Sequence, residues 1–73
     1  MSRMNIEQAR SEMRSIIAEL ESIEQGIRSD FRGIGQDRCA NAVNSITNYY
    51  RNTVLRQLNS MEQGAISRLL SNN

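Results

Sequence analysis

The chain has 73 residues, nine arginines against eight carboxylates, a net charge of +1, one cysteine, and no histidine, proline or tryptophan. A domain this small has a core worth only about 3–5 kcal/mol, so it usually adds a disulfide, a metal or a partner chain. The lone Cys39 excludes an internal disulfide, and one cysteine without histidine excludes the common zinc sets, which leaves burial in an oligomer. The near-neutral charge draws the chain toward neither nucleic acid nor membrane. No apolar run approaches the ~18 residues of a membrane span, and no apolar signal-peptide core is seen. A cytoplasmic protein with one reduced cysteine is the expectation.

With no proline, nothing forbids long helices. From residue 6 the apolar positions are Ile6, Ala9, Met13, Ile16, Leu20, Ile23 and Ile27. Their steps alternate three and four, an a/d stripe held for three heptads, with Ile17 and Ala18 thickening one side. Charged residues from Glu7 to Glu24 fill the opposite face, and Glu24 precedes Arg28 in the favourable i, i+4 order. The spacing predicts helix one over about 3–29, opening at Ser2 or Asn5 and roughly 40 Å long. Gly26 lies inside its last turns, where it invites close approach of a neighbouring helix.

The periodicity stops at Ser29-Asp30-Phe31-Arg32-Gly33-Ile34-Gly35-Gln36-Asp37, which holds two of the four glycines and the only phenylalanine. A turn is predicted at 30–35. Phe31 continues the Ile23–Ile27 line and is expected to close the apolar end, while Gly33 and Gly35 supply backbone conformations that side chains oppose. Ser29 or Asp30 can cap the turn, and Asp37 suits the positive end of the following helix.

Helix two is predicted over about 36–70. Its stripe is Cys39, Val43, Ile46, Tyr50, Val54, Leu58, Met61, Ala65 and Leu69, widened by Ala42, Tyr49, Leu55, Ile66 and Leu70. Its mean repeat is nearer 3.75 than 3.5, so the stripe drifts. Either helix two turns from one partner to another along its length, or it breaks near Ser60–Gly64. Unbroken, it overhangs helix one, and the segment from Gly64 to Asn73 is then a docking element or a frayed end. Asn41, Asn44, Asn48 and Asn52 share one face with no charge between Arg38 and Arg51. Such a face is plain surface or is covered by another helix, since interface cores are depleted in charge. Cys39 lies on the stripe as a small buried hydrophobe, and of the adjacent Tyr49 and Tyr50 only one can face the core.

No catalytic constellation is present: without histidine, Ser-His and Cys-His nucleophile pairs cannot form. No catalytic, metal or cofactor-binding residue is assigned. Gly33-Ile34-Gly35 follows a helix rather than a strand and is no phosphate loop. Arg28, Arg32, Arg38, Arg51 and Arg56 offer a basic face to RNA phosphates, but Asp30 and Asp37 lie among them and nucleic acid is not the expected partner.

Phe31-x-Gly33 before a helix resembles the Trp-x-Gly turn of the ESX (WXG-type) small secreted proteins, with phenylalanine in place of tryptophan. The longer string Phe31-x-Gly33-x-Gly35-x-Asp37, then Ala40, Tyr49-Tyr50, Val54-Leu55 and Leu58, is similar to the second half of LXG-type domains and their small helical companions. The resemblance covers about residues 29–61. It implies a helical hairpin of a type VII secretion system that pairs with a toxin's helical N-terminal domain or with another small helical protein. It also implies export by a route without a signal peptide. The Tyr-x-x-x-Asp/Glu export signal is missing, since Thr53 follows Tyr49 and Val54 follows Tyr50 at that spacing. The signal would then come from the partner, or the chain would act as a chaperone.

The expected protein is an all-α antiparallel two-helix hairpin completing a four-helix bundle by dimerisation. It works as an accessory chaperone for a type VII secreted toxin, or else as a homodimeric bundle with a regulatory or RNA-binding role. Its turn motif is Phe31, Gly33, Gly35 and Asp37. Its expected partner interface comprises Ile17, Asn41, Ala42, Asn48, Tyr49, Tyr50, Leu55, Ile66 and Leu70.

Overall fold

In the computed structural model, residues 3–71 are described and form a helical hairpin. Helix α1 spans Ile6–Asp30, α2 spans Gln36–Tyr50, and a π-helical turn at Arg51–Leu55 leads without interruption into α3, Arg56–Ser71. Among the described residues there is no strand.

Helix α1 opens on a capping box. The Gln8 N–H donates to Asn5 Oδ1 at 2.8 Å, and the Asn5 N–H donates to Gln8 Oε1 at 3.3 Å, so two backbone donors without helical partners are satisfied reciprocally. Asn5 is therefore the start; the alternative, Ser2, lies outside the described residues. The helix ends at Phe31, which is extended at φ −95° and ψ 138°. Neither Ser29 nor Asp30 closes the turn, because the Ser29 hydroxyl donates to the Asp30 carboxylate instead. The cap comes from beyond the loop: Gln36 Nε2 donates to the carbonyls of Ile27 at 2.9 Å and Arg28 at 2.8 Å. Gln36 is thereby the first residue of α2 and the clasp on the end of α1.

Gly33 at φ 131° and Gly35 at φ 97° occupy the positive-φ region, as the spacing predicts. Gly35 is the N-cap of α2 and has no side chain to offer, while Asp37 sits in the first turn beside the helix's positive end. Phe31 departs from expectation. It is 62% exposed and does not close the apolar end of the hairpin, because the extended conformation at this position takes it off the helical line through Ile27. Gly26 likewise meets no close neighbour, for a Cβ there would find nothing within 4 Å.

The seam between the helices is narrow; it keeps the expected stripes at Ile6, Ala9, Met13, Leu20, Ile27, Val43, Tyr50 and Leu58 and departs from them by one residue at the positions between. On α1 the buried and half-buried positions are Ile6, Ala9, Arg10, Met13, Ile17, Leu20, Glu24, Gly26 and Ile27. Ile17 is 4% exposed, whereas Ile16 is 43% and Ile23 52% exposed. On α2 the seam runs through Gln36, Ala40, Val43, Thr47 and Tyr50. Cys39 is exposed, contrary to its expected burial, because Ala40 takes the inward position. Among the described residues Thr47 is the one buried polar side chain, and its hydroxyl donates to the Val43 carbonyl at 3.1 Å.

The drift in helix two is resolved by the π turn, rather than by a change of partner or a break near Ser60–Gly64. After Tyr50 the inward positions resume at Leu55, Leu58 and Glu62, so the step across the turn is five residues where three or four is regular. A π turn absorbs one extra residue. Here the Arg56 N–H reaches back to the Arg51 carbonyl. Asn52, Thr53 and Val54 are weak helix formers, which lowers the cost of leaving α geometry, and the Thr53 hydroxyl takes up the Tyr49 carbonyl. Were the same sequence α-helical throughout, Val54 and Met61 would turn inward in place of Leu55 and Glu62.

Candidate partner-binding face

At about 100° per residue, each helix carries the seam on one arc and two different long edges beside it. One edge is polar and closes the hairpin. Arg10 bonds Glu62 at 2.6 Å and Asn59 at 2.7 Å, Glu21 pairs with Arg51 at 2.9 Å, and Arg28 donates to Asn41 at 3.0 Å while pairing with Glu24 at 3.0 Å. These ties fall at the two ends and the middle of the hairpin, and all lie on the same side of it. Each is solvent-accessible and worth at most about 1 kcal/mol; together they fix the register of the two helices.

Among the described residues the opposite edge has no such closure. Helical spacing places Ile16 and Ile23 of α1, Ile46 and Tyr49 of α2, and Val54 and Met61 beyond them along this one side. All six are exposed, Tyr49 to 63%. Cys39 and Ala42 lie on the same arc and are also exposed. The result is a plate 60 × 26 × 16 Å with one apolar broad face. Its radius of gyration is 17.0 Å, against about 11 Å for a compact domain of this length. Its accessible surface is 6010 Å², against about 4,600 Å² for a compact monomer of 8.3 kDa.

The residues expected at an interface do not form one surface. Ile17 is in the hairpin's own seam, with Tyr50 and Leu55 half-buried beside it, so these three hold the helices together. Asn41 and Asn48 lie toward the polar edge, where Asn41 accepts from Arg28. Ala42 and Tyr49 lie on the apolar face. Ile66 and Leu70 are exposed on α3, which remains helical through Gly64 to Ser71 and runs past the level of Ile6. The two tyrosines divide as adjacent residues must, Tyr50 toward the seam and Tyr49 outward, with ring centroids 6.3 Å apart.

Sequence reasoning placed Ile16, Ile23, Ile46, Val54 and Met61 in the core, where the structure exposes them. The signal was the Ile16–Ile17 pair, since one of two adjacent isoleucines had to leave the seam. Among the described residues no three metal-ligating side chains come together, and no helix is long and apolar enough to cross a membrane.

Comparison with known proteins adds no family. The chain matches no family model, no curated protein and no solved structure.

Proposed function

We propose that this chain is a non-enzymatic docking subunit, a helical hairpin whose apolar broad face packs against the helices of another protein. The observation that carries this reading is the row from Ile16 and Ile23 across to Ile46 and Tyr49, lying free on the side opposite the polar ties. Water against such a row costs about 25 cal/mol for each Å² of apolar surface left uncovered. A second hairpin laid across it makes a four-helix bundle, the layered arrangement that buries every apolar arc.

The resemblance at Phe31-x-Gly33-x-Gly35-x-Asp37 gives that role a setting: an accessory chaperone for a type VII secreted toxin of LXG type. The partner would be the toxin's helical N-terminal domain or another small helical protein. In this setting the chain is made in the cytoplasm and meets its partner there. Phe31 fits the reading, since its exposed ring is free to meet a partner at the turn end. An RNA-binding role is less favoured, because Arg28 and Arg51 are held in pairs with Glu24 and Glu21.

The test is co-expression with the helical N-terminal domain of a toxin encoded beside the chain, followed by co-purification. The expected result is a stoichiometric complex that Tyr49→Arg and Ile46→Arg abolish while each variant stays helical. A complex insensitive to both changes would sink the role given to this face. No complex with that domain would remove the type VII setting.

A further inference from the structure

We infer that, until another partner takes it, the apolar face is covered by a second copy of this chain, related by a two-fold axis running parallel to the helices. This rests on the reading of the face as a docking surface and adds the occupant and its orientation.

Area comes first. A stable interface takes about 800 Å² from each partner, and the broad face of a plate 60 Å by 26 Å offers roughly twice that. The hairpin is therefore large enough to be its own partner. A net charge of +1 also sets up no repulsion between copies.

The edges of the face then select the orientation. Helical spacing puts Glu12, Glu19 and Asp30 along the outer edge of α1, and Arg38 and Arg68 along the outer edges of α2 and α3. One edge is acidic and the other basic. Two copies can meet face to face with the two-fold axis across the helices, which lays α1 on α1 and sets acid against acid. With the axis along the helices, α1 of each copy lies over α2 and α3 of the other, and acid meets base along both edges. Every helix then has antiparallel neighbours, as in an up-down four-helix bundle. The Arg28–Asn41 contact fixes which residues share a level at the turn end, and Asp30 of one copy comes level with Arg38 of the other. The symmetry makes this pair twice.

Sedimentation equilibrium of the full chain across the micromolar range tests the assignment. The native chain is expected as a dimer. Asp30→Arg and Arg38→Asp should each weaken the dimer about tenfold, since each turns two attractions into two repulsions. Together they should restore it to within about twofold. Neither change opposes the fold: a cation at the end of α1 and an anion at the start of α2 both suit the helix dipoles, which far-UV circular dichroism checks. A chain that is monomeric at every concentration overturns the proposal, as does a double variant no tighter than the single ones. A monomer that still captures the toxin domain through Tyr49 would overturn self-association alone. A chain whose every association ignores Ile46→Arg would overturn the docking reading as well.

Discussion

The same chemical change, glycine to alanine, should move stability in opposite directions at two positions of this hairpin. At Gly26 and at Gly35 an added Cβ meets nothing within 4 Å, so packing contributes to neither outcome and the backbone alone decides. Gly26 is within α1, where alanine is favoured over glycine by about 1 kcal/mol. Gly35 holds φ 97° and ψ −6°, and a side chain in the left-handed region costs roughly 1–2 kcal/mol. For a domain of this size each kcal/mol moves the melting temperature by about 4–8 °C. Gly26→Ala should therefore melt higher by several degrees, and Gly35→Ala lower by as much or more. Thermal melts followed by far-UV circular dichroism measure both, at one protein concentration because association adds to apparent stability. Shifts of the same sign would refute the reasoning. A lower melt for Gly26→Ala in particular would mean that the assembled protein brings a neighbour against that turn.

Three further changes probe the seam. Deleting Asn52 removes the residue that the π turn absorbs, leaving a continuous α-helix with Leu55, Leu58 and Glu62 still facing α1; amide hydrogen exchange should show slower exchange across residues 49–56 and no loss of stability, whereas wholesale unfolding would deny that the turn is only a register correction. Ile17→Ala should cost about 2–5 kcal/mol, which is enough to unfold an isolated hairpin of this size, while Ile16→Ala should leave its helicity intact in dilute solution. Equal effects would put the seam back on the stripe through Ile16. Gln36→Ala removes both bonds to the end of α1 and should destabilise by about 1–2 kcal/mol in urea denaturation; no change would deny Gln36 its clasping role.

How much was legible in the sequence varied with how local the physics is. The two positive-φ glycines and the Glu24–Arg28 pair depend on neighbours within a few residues, and both were readable. The seam was readable only in part, at positions such as Met13, Leu20, Ile27, Val43 and Leu58, because each helix is apolar over an arc wider than one neighbour can cover. Reading the most regular apolar spacing chose Ile16 and Ile23, which lie at the free side of that arc. The true seam passes through Ile17 and Glu24, and a carboxylate among apolar positions reads as surface. The π turn was visible only as drift in the repeat. Nothing local says whether a drifting stripe bends around the helix or is corrected in one step; the correction is set by contacts of Leu55, Leu58 and Glu62 with a helix about forty to fifty residues away. Gln36 was missed as a cap because its bonds run across the loop, from the start of one helix to the end of another.

Cys39 offers the most direct test of the central claim, that the apolar face is covered when the protein works. It is the only thiol of the chain, exposed in the free hairpin, and on the same arc as Ala42 and Ile46. The rate at which a thiol reagent labels it should fall as protein concentration rises through the dimer's dissociation constant, and should stay fast in Ile46→Arg. A labelling rate that is the same at every concentration, in the native chain and in the variant alike, would contradict the account.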